Sequence, residues 1–201
     1  MTAIERLLEI AGPALGPGLD KALYMAGSER LTAELTDMLS RRDGFFAFEG
    51  ALHVFPVDAP GLRLDLRRLN EKTTWRSTYW HECDGLLVFA ADALGDLFAV
   101  WGEQVVRFVT ETGVIEPFAD SLEDWAQAII TDPAMTTGWP FLRAWDEAGH
   151  DELAEGDRLT GVAPFVLGGS FDAANLRAAD LYETLLFRAG LASRIHTSAT
   201  V

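Results

Sequence analysis

A chain of 201 residues with 49% hydrophobic and 23% charged residues is sized for one globular domain and is too apolar for disorder. Its net charge of −15 argues against nucleic acid or anionic membrane as partner, and a lone cysteine, Cys83, excludes an internal disulfide. No apolar run approaches the ~20 residues a membrane helix needs, and Glu5 stands where a signal peptide would be basic, so the expected setting is the cytoplasm.

Along the chain, Thr2 and Glu5 have capping-box spacing, and Ile4, Leu7, Leu8 and Ala11 follow at helical intervals until Gly12-Pro13. A second apolar piece lies around Leu19–Met25. Ser28 reads as an N-cap for a helix with Leu31, Leu35, Met38 and Leu39 on one stripe, closed by Arg41, Arg42 and Gly44. The aromatic block from Phe45 to Pro56 fits either helix or strand. A short helix is expected near Leu66–Lys72. From Gly85 the pattern changes to short apolar runs between turns, which predicts an antiparallel meander: Leu86–Ala90, Leu97–Trp101, Val105–Val109 and Val114–Phe118. Gly102-Glu103 suits a two-residue hairpin turn, since glycine accepts positive φ at its first position.

Ser121 then caps a helix with Leu122, Trp125, Ala126, Ile129 and Ile130 on one face, ended at Asp132-Pro133. A short helix is expected near Phe141–Glu147, an exposed acidic loop over Asp146–Asp157, and a strand over Val162–Leu167. Leu181–Phe187 is ambiguous, and Ser198–Val201 should fray. Some strands are apolar on both faces, which requires helices over the sheet. The fold class is therefore α+β: a central antiparallel meander covered by helices, with a helical N-terminal part.

The acidic excess is concentrated. Residues 84–158 carry three bases against sixteen acids, while the flanking segments are close to balance. Such a field attracts a basic protein, and it also serves solubility. Signals for catalysis are weak. His53, His81, His150 and His196 fall in separate neighbourhoods, and His81-Glu82-Cys83 are adjacent residues that would point apart. Asp92 and Asp96 flank a loop without the oxygen-rich repeat of a calcium site. Glu123 and Asp124 are explained as helix N-terminal charge. Trp75, Tyr79 and Trp80 beside Arg67, Arg68 and Arg76 read better as a core edge with a solvated basic face than as a nucleic-acid platform. No phosphate-binding or nucleophile-elbow motif is present.

The stretch Phe89–Ile130 resembles the SUKH superfamily, the cell-wall-assembly-regulator-like domains common among bacterial toxin immunity proteins. The resemblance rests on Phe89-Ala90-Ala91-Asp92, Gly95-Asp96-Leu97-Phe98-Ala99-Val100, the hairpin through Val105–Phe108 and the helix start Ser121–Trp125. It implies a single domain over 1–201, with a helical part at 1–44, a sheet and covering helix at 85–131 and a C-terminal extension at 140–201. It further implies an immunity protein that binds and masks a toxin, without a cofactor. For such a partner to be basic suits the acidic segment, and Asp92, Asp96, Glu103, Glu111 and Glu116 are the acids expected to contribute to the binding face. A regulatory or scaffold domain without a toxin, and an enzyme or small-ligand binder, stay open as alternatives.

Overall fold

The computed structural model describes residues 1–19, 28–72, 74–79 and 83–199, with side chains through His196. The apolar piece expected around Leu19–Met25 falls, beyond Leu19, outside these residues. So do Trp80, His81 and Glu82, and the terminal pair Thr200 and Val201.

Both N-terminal helices form where their caps predict. In α1 (Ala3–Ile10) the Thr2 hydroxyl accepts from the Glu5 amide, and the Glu5 carboxylate accepts from the Thr2 amide. In α2 (Glu29–Arg41) Ser28 caps the start and Leu31, Leu35, Met38 and Leu39 are buried. The aromatic block resolves into a hairpin, β1 (Phe45–Ala47) and β2 (Leu52–Val54), joined by a tight 3-10 turn. A short α3 (Leu66–Leu69) follows, capped by the Asp65 side chain. The meander is present as expected, in β3 (Leu87–Ala91), β4 (Leu97–Trp101), β5 (Gln104–Val109) and β6 (Val114–Ala119). With β1 and β2 it makes one six-stranded antiparallel sheet in sequential order. Trp101 pairs with Gln104 across the Gly102-Glu103 turn.

The sheet is covered on both faces. Phe98 pairs with Arg107 and Leu97 with Phe108, so Phe98 and Phe108 leave the sheet on opposite sides. On the Phe98 side, Trp125 of α4 (Leu122–Thr131) packs edge-on against Phe89 and Phe98, at 5.1 and 5.9 Å. The Glu123 carboxylate accepts from the Ala3 and Ile4 amides, which fastens α4 to the N-terminus of α1. On the Phe108 side lie Trp75 and Tyr79, backed by α7 (Leu181–Ala199). Arg76, expected on a solvated basic face, is buried there and donates to the Leu69, Cys83 and Leu86 carbonyls.

The C-terminal extension departs from the expected pattern. α4 hands over at Asp132, whose side chain caps α5 (Pro133–Thr137), and α6 (Trp139–Glu147) follows. The acidic piece Asp146–Asp157 is a loop only in its middle, since it starts in α6 and ends in a strand. No strand forms over Val162–Leu167. Instead β7 (Asp157–Gly161) pairs with β8 (Leu176–Asp180), and Phe165–Leu167 is a single 3-10 turn. Pro164 has no N–H for a ladder, and the Asn175 side chain takes both backbone groups of Ala163. Beneath this ribbon, Ala51, Ala93, Leu142, Trp145, Leu159 and Leu176 form a second, smaller core. Leu181–Phe187 opens α7, which runs through Ser198 and Ala199.

Candidate binding surface

The β3–β4 loop is built by Asp92. One of its carboxylate oxygens accepts from the Leu94 and Asp96 amides, each at 2.9 Å, and its own amide donates to the Asp96 carbonyl. Its other oxygen receives Arg107 Nη2 at 2.6 Å, and the same nitrogen reaches Asp96 at 3.1 Å. Asp96 Oδ1 accepts from the Thr110 amide at the end of β5. Arg188 of α7 donates to Thr110 Oγ1 and the Leu94 carbonyl, and lies 3.7 Å from Glu111. Glu111 in turn accepts from the Val166 amide. Through these contacts the meander, α7 and the loop after β7 form one charged network.

Three of the five acids expected on a binding face are thus brought together, but as structural groups. Asp92 is fully buried, and Glu111 nearly so, while Asp96 is half-buried against Arg107. Asp92 and Asp96 close on the Arg107 guanidinium; among the described residues no three His, Cys, Asp or Glu side chains converge on a metal-sized site. Glu103 and Glu116 are exposed. Glu103 accepts from the Ser28 hydroxyl at 2.8 Å, and Glu116 pairs across strands with Arg107. Burial, with Asp96 nearby and Arg107 opposing, pushes the Asp92 carboxyl up to about 7. Burial works against the Arg107 charge, but Asp92 and Asp96 more than offset it, so its pKa is raised.

Beside this network lies a surface that hydrophobic patterning alone misassigns. The loop from Val162 to Asn175 displays Val162, Leu167 and Phe171, which are 65%, 65% and 61% exposed. It is rigidly built: Asn175 accepts from the Ala163 amide and donates to the Ala163 and Ser170 carbonyls, and Gly169 donates to Pro164. Phe171 stacks on Phe165 at 4.4 Å with ring planes 8° apart. A cavity of about 350 Å³ runs beneath, between Phe165, Phe171 and the Asp96–Arg107–Arg188 cluster. The signals for this loop were its turn residues, Pro164, Gly168-Gly169, Asp172 and Asn175, and not its apolar ones. The arrangement presents fixed apolar side chains with charge at their base, which suits contact with another macromolecule.

No protein-family model matches this chain, and no curated protein matches it in sequence. Among solved structures it is similar to the crystal structure of Atu4351 from Agrobacterium tumefaciens, with a TM-score of 0.57 and 12% identity. The match covers 92% of this chain and 88% of that one. At that identity the likeness speaks to the fold alone.

Proposed function

We propose that this chain is a non-catalytic protein-binding domain, an immunity protein that binds and neutralises a basic toxin. The observation that carries the reading is the pre-organised loop with Val162, Leu167 and Phe171 held in solvent by Asn175. Ordering an apolar loop with dedicated side-chain bonds, without burying it, leaves its contact area for a partner at little entropic cost. Exposed acids on the same domain, Glu103, Glu116, Asp120 and Asp124, supply a field that steers a basic partner and competes with phosphate at its active site. The SUKH-like pattern around Phe89–Trp125 supports the same reading.

Co-expression with a candidate basic toxin is the test. Growth should be rescued by the wild-type chain and lost with Leu167→Ser and Phe171→Ser together, with the two proteins co-purifying only in the first case. A complex that forms without rescue favours a scaffold role. No complex with any toxin encoded beside the gene would sink the immunity reading.

A further inference from the structure

A second cavity, of about 800 Å³, has a buried arginine with unmet donors on its wall. Its walls come from the end of α1, the β1–β2 turn, α6 and the loop before β7. Apolar surface is supplied by Ile10, Phe46, Phe48, Leu142 and Leu153. Arg158 on β7 also lines it and is only 2% exposed. This guanidinium is fixed from one side: Nη1 donates to the Glu155 and Asp157 carbonyls, and the group lies 5.5 Å over the Phe46 ring. Its Nε and Nη2 are buried with no hydrogen-bond partner, and no carboxylate lies within ion-pair distance among the described residues. Burial lowers its pKa to about 10, with Glu155, Asp92 and Asp157 opposing, so the group stays charged at neutral pH. A buried cation with two free, parallel donors is costly unless an oxyanion meets it.

The rim carries the opposite sign. Glu49, Asp146 and Glu152 are exposed there, and Glu155 is half-buried with Oε1 unpartnered. Four acids against one arginine disfavour a simple anion relative to a ligand that also carries a positive charge. Phe48 and Glu49, both non-glycine, hold left-handed backbone at φ 53° and 59° where the turn borders the cavity. Such strain persists where the surroundings fix it, often at ligand sites.

We propose that this cavity binds a zwitterionic amino-carboxylate with an apolar body, an amino acid with a large side chain or a short peptide. Its carboxylate meets Arg158 Nε and Nη2, the fork that takes a carboxylate in bidentate fashion. Its ammonium faces the rim acids, and its apolar body lies along Phe46, Phe48 and Leu142. The volume falls within the range of small-molecule sites. This site shares no lining residue with the exposed loop, so either reading can fail without the other.

Calorimetric titration of the full chain tests it with L-phenylalanine and the dipeptide Leu-Phe, against phenylethylamine and phenylpropionate. Both zwitterions should bind, whichever is tighter marking the source, and each singly charged analogue should bind about tenfold more weakly. Glu152→Gln, at an exposed rim position, should weaken the zwitterions about threefold and leave phenylpropionate no weaker. Leu153→Trp should block the cavity without unfolding the chain. Arg158→Lys keeps the charge but loses the fork, and where it folds it should lose the carboxylate preference. Absence of heat with either zwitterion at millimolar concentration overturns the proposal, as does binding unaffected by both Glu152→Gln and Leu153→Trp.

Discussion

Arg107 and Asp92 meet across two turns of the meander at 2.6 Å, with Asp92 wholly buried and Arg107 still 23% exposed. The arginine reaches from β5 to satisfy a carboxylate whose other oxygen has already shaped the β3–β4 loop. Removing the arginine therefore leaves a buried carboxyl that must take up a proton or stay unpaired, rather than a missing surface contact. Arg107→Met should destabilise the fold by about 3–5 kcal/mol, the usual cost of breaking one side of a buried pair. Urea unfolding measures it, and a loss below about 1 kcal/mol would return the pair to the class of surface bridges.

Asp92 also gives the stability a pH dependence of defined sign. Burial and Asp96 raise its folded pKa to about 7, whereas an unfolded aspartate titrates near 3.9. The folded state thus holds the proton more tightly. Its contribution is complete below about pH 4 and is lost as pH rises through about 7. Asp92→Asn keeps an acceptor for the loop amides and removes the titration. The stability difference, wild type minus variant, should fall from acid to neutral pH; a difference that is flat or rises would overturn the assignment.

Charge reversal separates the exposed acids from the structural ones. Glu103→Lys and Glu116→Lys together should slow association with a basic partner about tenfold at low ionic strength, and far less at high salt. Surface plasmon resonance at two salt concentrations reads the effect. Equal slowing at both would mean that these side chains are not steering.

For the exposed loop, stability and binding should part company. Leu167→Ser and Phe171→Ser each should cost about 2 kcal/mol of partner affinity, as truncated apolar anchors do. Leu167→Ser should shift unfolding by no more than about 0.5 kcal/mol, because the residue is solvent-exposed in the free chain. Phe171→Ser should shift it by about 1 kcal/mol, for the loss of its stack on Phe165. Loss of stability on the scale of the loss of binding would make them structural instead.

Gly44, between α2 and β1, is held at φ +66°, and a Cβ there would lie 2.4 Å from the Pro56 backbone nitrogen. Gly44→Ala combines a strained backbone with a clash against main chain, so a loss of about 3 kcal/mol is expected in thermal or urea unfolding. A near-neutral variant would show that the chain around Pro56 yields readily.

Much of this fold is legible because local chemistry and periodicity agree. Thr2, Ser28 and Ser121 each begin the helix they predict, and every strand of the Gly85–Phe118 meander forms within about a residue of its expected position. The aromatic block was ambiguous because Phe45 and Leu52–Phe55 are buried with little alternation, which erases the strand period. The acids expected on a binding face are only half legible. Charge is visible in sequence, but whether Asp92 faces solvent or Arg107 depends on a contact fifteen positions away. The error at Val162–Leu167 came from reading apolar residues as buried, when Asn175 holds that segment out of any ladder.

The edges of the large sheet bear on how a partner can approach. One edge is β1, only three residues long, and the other is β6, which carries Glu116 and Pro117 at its centre. A short edge offers few backbone groups, and a charged, proline-bearing one is a poor template for a further strand. Growth of this sheet by an incoming chain is disfavoured on both sides. For a partner of the kind proposed, recognition at this sheet falls to side chains, which would tie specificity to individual residues and let it change by point mutation while the scaffold stays intact.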